Sequence, residues 1–231
     1  MINVTKKKKK EKNVLKFSDK CCIISTYYLC KTIFWIGSGN SNMNFYIADT
    51  HFYDKKCLGY DGRPFIDVDS MNDAVIKNWN KAVGADDTVY VVGDFSFGMG
   101  GDLMSVAERL NGHKILIRGN HDNGSDLKYA FEEVYDYLEL VTEDGLVVMS
   151  HYPISSFRDM QKGGTVHIYG HVHNSYEAKL CSDIYTRLEK IRNYHIEAYN
   201  VGVMQPYMNY TPRTIPELRI LTRQYPLDFS H

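Results

Sequence analysis

Apolar and polar residues alternate in blocks along the chain from Met43, and the block lengths predict strands and helices in turn. Short apolar runs predict buried strands at residues 44–48, 88–93 and 114–119. Apolar residues at helical spacing predict helices at residues 69–83, 102–112 and 125–135. The expected N-caps are Asp69 or Ser70 for the first helix and Ser125 or Asp126 for the third.

The second half of the chain continues with more closely spaced strands. Two are predicted within residues 137–150, on either side of the turn formed by Glu143, Asp144 and Gly145. Further strands are predicted at residues 166–170 and 198–203, and residues 179–194 between them form either a helix or a long lid. Alternating strands and helices with later hairpins indicate an α/β sandwich with mixed sheets. In such folds, ligand sites gather on loops that leave the strand ends at one edge.

Residues 1–42 differ in composition from the rest of the chain. They hold nine lysines against Glu11 and Asp19, and we expect them to be a disordered basic and apolar extension. Their apolar stretch is interrupted by Lys31 and falls short of the ~20 residues that span a bilayer, which disfavours a signal peptide or a membrane anchor. We expect the functional protein to begin at Met43 and residues 43–231 to form a single domain.

Charge and cysteine content narrow the class of protein further. Outside residues 1–42 there are 18 basic and 26 acidic residues, a balance that disfavours nucleic acid as a partner and suits a protein that gathers metal cations. Five cysteines are an odd number without zinc-finger spacing, which predicts reduced thiols and a cytoplasmic location. No membrane partner is expected, and the sequence leaves the oligomeric state open.

Five loops that follow predicted strands carry metal-ligating side chains. In chain order they contribute Asp49 and His51; Asp94; Asn120, His121 and Asp122; His151; and His171 and His173. Any one set has an ordinary turn explanation, but five sets in register with five strand ends favour a metal site. In an extended chain, residues i and i+2 point the same way, about 6–7 Å apart. The His171–His173 pair therefore predicts one imidazole for each of two ions that lie roughly 3.5–4 Å apart.

The ordered motifs D-x-H, G-D, G-N-H-D, H and G-H-x-H resemble those of the calcineurin-like metallophosphoesterase superfamily. The resemblance covers residues 43 to about 220. The segments GRPF, NWNKAV, LIRGNHD, SHYPI, YGHVHN and NVGV are similar to its small bacterial and phage phosphoesterase branch. The resemblance implies a four-layer αββα sandwich, in which two mixed β-sheets pack face to face and helices flank them.

The resemblance also implies a role for each residue of the motifs. The ligands of the first metal would be Asp49, His51, Asp94 and His173, with Asp94 bridging to a second metal that Asn120, His151 and His171 complete. The catalytic residues would be His121, which protonates the leaving alkoxide, and Asp122, which could fix the tautomer of His121. Substrate contacts are expected from Asn120 and from Arg63, which lies in a loop near the first motif. Structural roles are expected for His167 and Arg118, since both lie in strands.

These residues predict a phosphohydrolase that depends on two divalent transition-metal ions and cleaves small phosphomonoesters or phosphodiesters by attack of a metal-bridging hydroxide. Ligands without sulfur favour manganese, iron, zinc, nickel or cobalt, and the resemblance suggests manganese. Two alternatives stay open. A metal-dependent nuclease of the same superfamily is disfavoured by the acidic body, and a metal-binding interaction module without turnover is disfavoured by the intact His121 and Asp122.

Overall fold

Two four-stranded sheets with helices beside them make up the part of the chain that the structure describes. This computed structural model describes residues 42–98 and 101–225, within a unit that spans Ser41–His231. The strands are β1 (Asn44–Ile47), β2 (Thr88–Val91), β3 (His113–Ile117), β4 (Glu133–Tyr135), β5 (Leu138–Thr142), β6 (Gly145–Met149), β7 (Thr165–Tyr169) and β8 (Glu197–Asn200). The helices are α1 (Cys57–Tyr60), α2 (Val68–Ala82), α3 (Gly101–Arg109), α4 (Leu127–Ala130), α5 (Tyr176–Arg192) and α6 (Ile215–Gln224). The disorder expected for residues 1–42 concerns a segment that, but for its last residue, lies outside the described residues.

The two sheets differ in strand direction. The first has the order β1-β2-β3-β4, and each neighbouring pair runs parallel. The second has the order β5-β6-β7-β8, in which β5 and β6 form an antiparallel hairpin and the other pairs are parallel. The prediction of two mixed sheets is therefore right for the second sheet and wrong for the first, because helical crossovers between β1, β2 and β3 return the chain in the same direction.

The largest apolar cluster contains side chains from both sheets. It joins Val91 of β2 and Leu116 of β3 with Met149 of β6 and Ile168 of β7, all of them fully buried. Helix α2 adds Trp79 to this cluster. Burying side chains of this size stabilises the fold by roughly 1.5–3 kcal/mol each. The apolar runs of β1, β2 and β7 are typical of buried strands, and these three strands are almost entirely buried in the structure.

A second, smaller cluster lies between β7 and α5. Tyr169 of β7 packs with Ala178 and Tyr185 of α5. Residues 179–194 were expected to be a helix or a lid, and the structure gives a helix over Tyr176–Arg192. The C-cap Asn193 adopts a left-handed conformation with φ of 55°, which ends α5 before β8 begins.

Two local predictions were wrong, and one helix was missed. The N-cap of α2 is Asp67 rather than Asp69 or Ser70, because Asp67 accepts a hydrogen bond from the Ser70 backbone N–H in a capping box. The helix predicted over residues 125–135 is helical only at Leu127–Ala130, since Glu133–Tyr135 pairs with β3 instead. Helix α6 was not predicted, although Thr214 and Glu217 form a capping box at its start.

Helix length bears on the membrane question. None of the helices in the described part of the chain combines the length and the apolar character needed to cross a bilayer.

Candidate metal centre

Five loops that follow strands converge on one cavity of about 570 Å³. Its lining includes His51 after β1, Asp94 after β2, His121 after β3, and His171 and His173 after β7. His151, after β6, lies just beneath, with its Nε2 3.1 Å from Oδ1 of Asn120. The seven predicted metal ligands are therefore brought together by the fold, from both sheets.

Six of these seven ligands fall into two groups, each of which could hold a metal ion. The first consists of Asp49, His51 and His173, and the second consists of Asp94, His151 and His171. Within each group the potential ligand atoms lie within 4.8 Å of one another. The two imidazoles of the G-H-x-H motif thus belong to different groups, as the sequence predicts.

Asp94 lies between the two groups. Its Oδ2 is 3.4 Å from Nε2 of His151 in its own group and 3.8 Å from Nε2 of His51 in the other. Its Oδ1 accepts a hydrogen bond from the backbone N–H of His121 at 2.9 Å. One carboxylate oxygen therefore faces both groups, which is the position that a bridging ligand requires.

The ring nitrogens of the first group are arranged as ligands of a cation. His173 Nδ1 lies 2.6 Å from Oδ1 of Asp61, which assigns the ring proton to Nδ1 and leaves the lone pair on Nε2. This Nε2 is 3.3 Å from Nε2 of His51. Two nitrogens bound to one ion at about 2.1 Å would lie about 3.0–3.4 Å apart. The donor set and its spacing therefore fit a divalent transition metal.

The backbone is strained at the ligands themselves. Asp49, His51, Asp94, His171 and His173 all have positive φ values, between 43° and 69°. Residues other than glycine rarely adopt this left-handed conformation, which costs on the order of 1–3 kcal/mol each, and such residues cluster at functional sites. The residues of the D-x-H and H-x-H pairs thus reach the centre through left-handed turns. The extended-chain argument for their common direction was wrong.

Two glycines of the motifs allow the ligands to approach one another. A Cβ on Gly93 would lie 2.2 Å from Nδ1 of His151, and one on Gly119 would lie 2.3 Å from Oδ1 of Asp94. Real Cβ contacts of this length do not occur, so the G-D and G-N-H-D motifs need glycine for close packing of ligands.

Asp61 and Arg63 hold two of the candidate metal ligands in place through hydrogen bonds. Oδ2 of Asp61 accepts a hydrogen bond from Nε of Arg63 at 2.8 Å, while its Oδ1 holds His173. Arg63 also donates to the backbone carbonyls of Asp49 and Thr50, at 2.9 and 3.0 Å. This network fixes the ring of one ligand and the backbone of another.

The prediction that Arg63 contacts substrate is contradicted by this placement. Its side chain is fully buried and its guanidinium nitrogens are all engaged within the protein. Asn120, by contrast, lines the cavity and is exposed.

His121 and Asp122 have separate roles in the structure. The His121 side chain is 42% exposed, and its Nε2 lies 4.0 Å from Oδ2 of Asp94. Asp122 is buried and accepts hydrogen bonds from the backbone N–H groups of Asp94, Phe95 and Gly119. Its carboxylate therefore ties two motif loops together. The expectation that Asp122 fixes the tautomer of His121 was wrong, because both of its oxygens are directed at the backbone.

Burial and pairing set the charges of the site in the absence of metal. Burial raises the pKa of Asp49 to about 6. Burial opposes the charged form of His151, but contact with Asp94 outweighs it and raises the pKa of His151 to about 9. The same contact, acting against burial, lowers the pKa of Asp94 to about 2. Burial and the nearby Arg63 lower the pKa of His51 to about 3. A proton must therefore leave His151 before its Nε2 can bind a cation.

Several residues of the site were not predicted. Asp61 was missed because its partner His173 is 112 positions away in the chain. Three aromatic rings were also missed: Tyr60, Phe97 and Tyr152, which pack beside histidines of the centre.

The structural roles expected for two other residues agree with the structure. His167 in β7 is fully buried, with Nδ1 3.1 Å from the Val148 carbonyl and Nε2 accepting from the Ile154 backbone N–H. Arg118 forms an exposed salt bridge with Asp136 at 3.3 Å.

Comparison with known proteins places the chain among uncharacterized relatives. No family model matches the sequence. An uncharacterized protein of Methanocaldococcus jannaschii is 36% identical over 129 residues, which are 55% of this chain and 67% of that protein. A crystal structure of a protein of unknown function from Aquifex aeolicus superposes with a TM-score of 0.60 and 26% identity, covering 78% of this chain and 100% of the other.

The identity to the archaeal protein extends over two thirds of that protein's length. The chain therefore belongs to the same protein family as this uncharacterized protein of Methanocaldococcus jannaschii.

Proposed function

We propose that the chain is a phosphoesterase of the calcineurin-like metallophosphoesterase superfamily, with the αββα sandwich of that superfamily and two metal ions at its centre. The observation that supports this most is the position of Asp94, whose Oδ2 faces ligand groups on both sides. An exposed imidazole, His121, lies beside the same oxygen. A scaffold that only binds metal has no need for an exposed histidine at this point.

Each ligand group would hold one ion. Asp49, His51 and His173 would hold the first, and Asp94, His151 and His171 would hold the second, with Asn120 beside them and Asp94 facing both groups. When bound, two divalent cations neutralise the phosphoryl oxygens and lower the pKa of water, which promotes attack on phosphorus. Nitrogen and oxygen ligands without sulfur suit manganese, with iron, zinc, nickel or cobalt as substitutes.

The chain's own residues orient the substrate and move a proton. Asn120 offers its exposed amide to a phosphate oxygen, and His121 donates a proton to the leaving oxygen. Asp122 keeps Asn120 and His121 in place, because it ties Gly119, the residue before them, to the loop of Asp94. A cytoplasmic setting, with reduced Cys57 and Cys181, is part of the proposal.

The test pairs metal analysis with hydrolysis of p-nitrophenyl esters by the manganese-loaded protein. His121→Ala is expected to retain metal and to lose roughly 10²- to 10⁴-fold in kcat, since it removes only the proton donor. Asp94→Asn is expected to lose both metal and activity, because the bridging charge is gone. The matched controls are His113→Ala, at an exposed histidine paired with Glu132, and Asp73→Asn, at an exposed aspartate paired with Arg109.

Two results would contradict the proposal. Full metal content with normal hydrolysis in Asp94→Asn would remove the bridging role. Tight metal binding without hydrolysis of any ester would instead point to the non-catalytic metal-binding module.

A further inference from the structure

Two cavities meet at the proposed proton donor. The metal-lined cavity of about 570 Å³ and a second one of about 340 Å³ both include His121 in their lining. The second cavity is walled by Phe97, Leu103 and Leu127. A phosphoryl group held at the ligands therefore has two adjoining cavities available for organic groups, and both of them are lined by His121.

Apart from the histidines, the charged side chains of the two linings are all acidic. Among the described residues, neither lining contains a lysine or an arginine. Glu177 lies on the wall of the first cavity, in the first turn of α5, where its carboxylate offsets the positive end of the helix. Asp126 lies on the wall of the second. A dianionic phosphate is usually recognised by arginine or lysine, and this site provides neither for an oxygen that the metals do not contact.

Three partly exposed aromatic rings surround the ligand histidines. Tyr60 is 59% exposed, Phe97 43% and Tyr152 49%. Phe97 packs on His121 with ring centroids 4.6 Å apart, and Tyr152 packs on His171 at 4.4 Å. Exposed rings of this kind offer faces on which a flat substrate group can stack.

We propose that the substrate is a monoanionic phosphodiester with two organic groups, at least one of them planar, which occupy the two cavities that share His121 in their linings. This rests on the proposed phosphoesterase function and narrows it. A phosphomonoester fits less well, because it carries a second negative charge near neutral pH and only one organic group. Glu177 is then a specificity-determining residue that disfavours dianions.

The reaction stops after one bond is broken. Water adds its oxygen to phosphorus, one ester P–O bond breaks, and the leaving oxygen takes a proton from His121, which regains one from the attacking water. The products are an alcohol and a phosphomonoester. The monoester forms as a monoanion that still carries one proton of the water. It loses that proton to solvent near neutral pH, since its second pKa is about 6, and is released as a dianion, the class that the site disfavours.

The test uses manganese-loaded protein with bis(p-nitrophenyl) phosphate and p-nitrophenyl phosphate, which have the same leaving group. We expect kcat/KM to be higher for the diester, and a limiting amount of diester to release one equivalent of p-nitrophenol. Release of a second equivalent, or faster hydrolysis of the monoester, would overturn the inference while leaving the phosphoesterase function standing. Hydrolysis of neither ester would remove the proposed function, and this inference with it.

A charge reversal tests the role of Glu177 separately. Glu177→Arg is expected to raise kcat/KM for the monoester relative to the diester by on the order of 5- to 10-fold, because it adds a cation to the cavity wall. Asp183→Arg is the matched control, since Asp183 is an exposed acid on α5 outside both linings. An unchanged ratio in folded, metal-loaded Glu177→Arg, or an equal change in the control, would contradict the assignment.

Phe97→Ala tests whether a planar group of the substrate stacks on the Phe97 ring. This variant should lose more activity toward bis(p-nitrophenyl) phosphate than toward methyl p-nitrophenyl phosphate, whose second group is too small to stack. The metal content should not change. Equal losses on the two diesters would refute the stacking role.

Discussion

Asp61→Asn tests whether the Asp61–Arg63 network holds His173 as a metal ligand. In the structure, one oxygen of Asp61 is 2.6 Å from Nδ1 of His173 and the other accepts from Nε of Arg63 at 2.8 Å. An asparagine cannot accept both of these hydrogen bonds, because only one of its two terminal atoms is an acceptor. With its oxygen toward His173, its amide N–H₂ meets the Arg63 donor. With its N–H₂ toward His173, it requires the ring proton to move to Nε2, which then cannot bind a cation.

The magnitude follows from the role of such a partner. Losing the acceptor that orients a metal-ligating histidine lowers metal affinity by about 10- to 100-fold, which is roughly 1.4–2.7 kcal/mol. We expect this loss in the affinity for manganese, measured by calorimetric titration of metal-free protein. Asp73→Asn is the matched control, because Asp73 also pairs with an arginine at 2.8 Å but does so on the exposed surface.

Stability must be followed at the same time, since the network is buried. Thermal unfolding monitored by circular dichroism shows whether Asp61→Asn is folded under the titration conditions. A folded variant whose manganese affinity equals that of the wild type would refute the reasoning, because His173 would then keep its tautomer and position without Asp61.

Three further predictions concern packing, protonation and a buried histidine. Gly119→Ala should lower the free energy of unfolding in chemical denaturation by about 1–3 kcal/mol and should weaken manganese binding, because its Cβ would lie 2.3 Å from Oδ1 of Asp94. Gly59→Ala should change neither quantity, because a Cβ there has nothing within 4 Å. Manganese affinity should rise with pH and level off near the His151 pKa of about 9, since below that pH the metal must displace a proton from His151. An affinity that is flat or falling as the pH approaches this value would contradict the reasoning. His167→Leu should lower the free energy of unfolding in urea by roughly 1–3 kcal/mol, because the Val148 carbonyl and the Ile154 N–H lose their partner. Manganese affinity should stay unchanged, and a loss of metal would show that His167 serves the metal centre.

The sequence could predict which side chains come together at the candidate metal centre, because these residues directly follow strands. Each motif follows a short apolar run that predicts a strand, so the end of that strand locates the motif residues in the fold. Parallel strands of one sheet bring their carboxyl ends to one edge, so Asp49 could be grouped with Asp94, and His151 with His171, without any structure. The fold class follows from the same order of strands and helices.

Long-range partners and short elements could not be predicted in this way. Asp61 and Arg63 form a local D-x-R pair that resembles any loop, and their importance depends on contacts with Asp49 and His173. The segment 125–135 carries apolar residues at a spacing that suits a helix. Residues Glu133–Tyr135 form a strand instead, because hydrogen bonds with β3 outweigh the local helix propensity.

The left-handed turns at the ligands were also beyond the sequence. Aspartate and histidine tolerate positive φ better than most residues, but nothing in the chain marks five of them as a set. Hydrogen bonds around the loops offset the free-energy cost of this strained backbone. Asp122, for example, accepts hydrogen bonds from the backbone N–H groups of Asp94 and Gly119.

The most direct test of the central claim is anomalous diffraction at the manganese edge from crystals of the manganese-loaded protein. The account predicts two anomalous peaks roughly 3.5–4 Å apart, one beside Asp49, His51 and His173 and the other beside His151 and His171, with Asp94 between them. A single peak, or ions bound elsewhere while these side chains remain together, would contradict the two-metal centre.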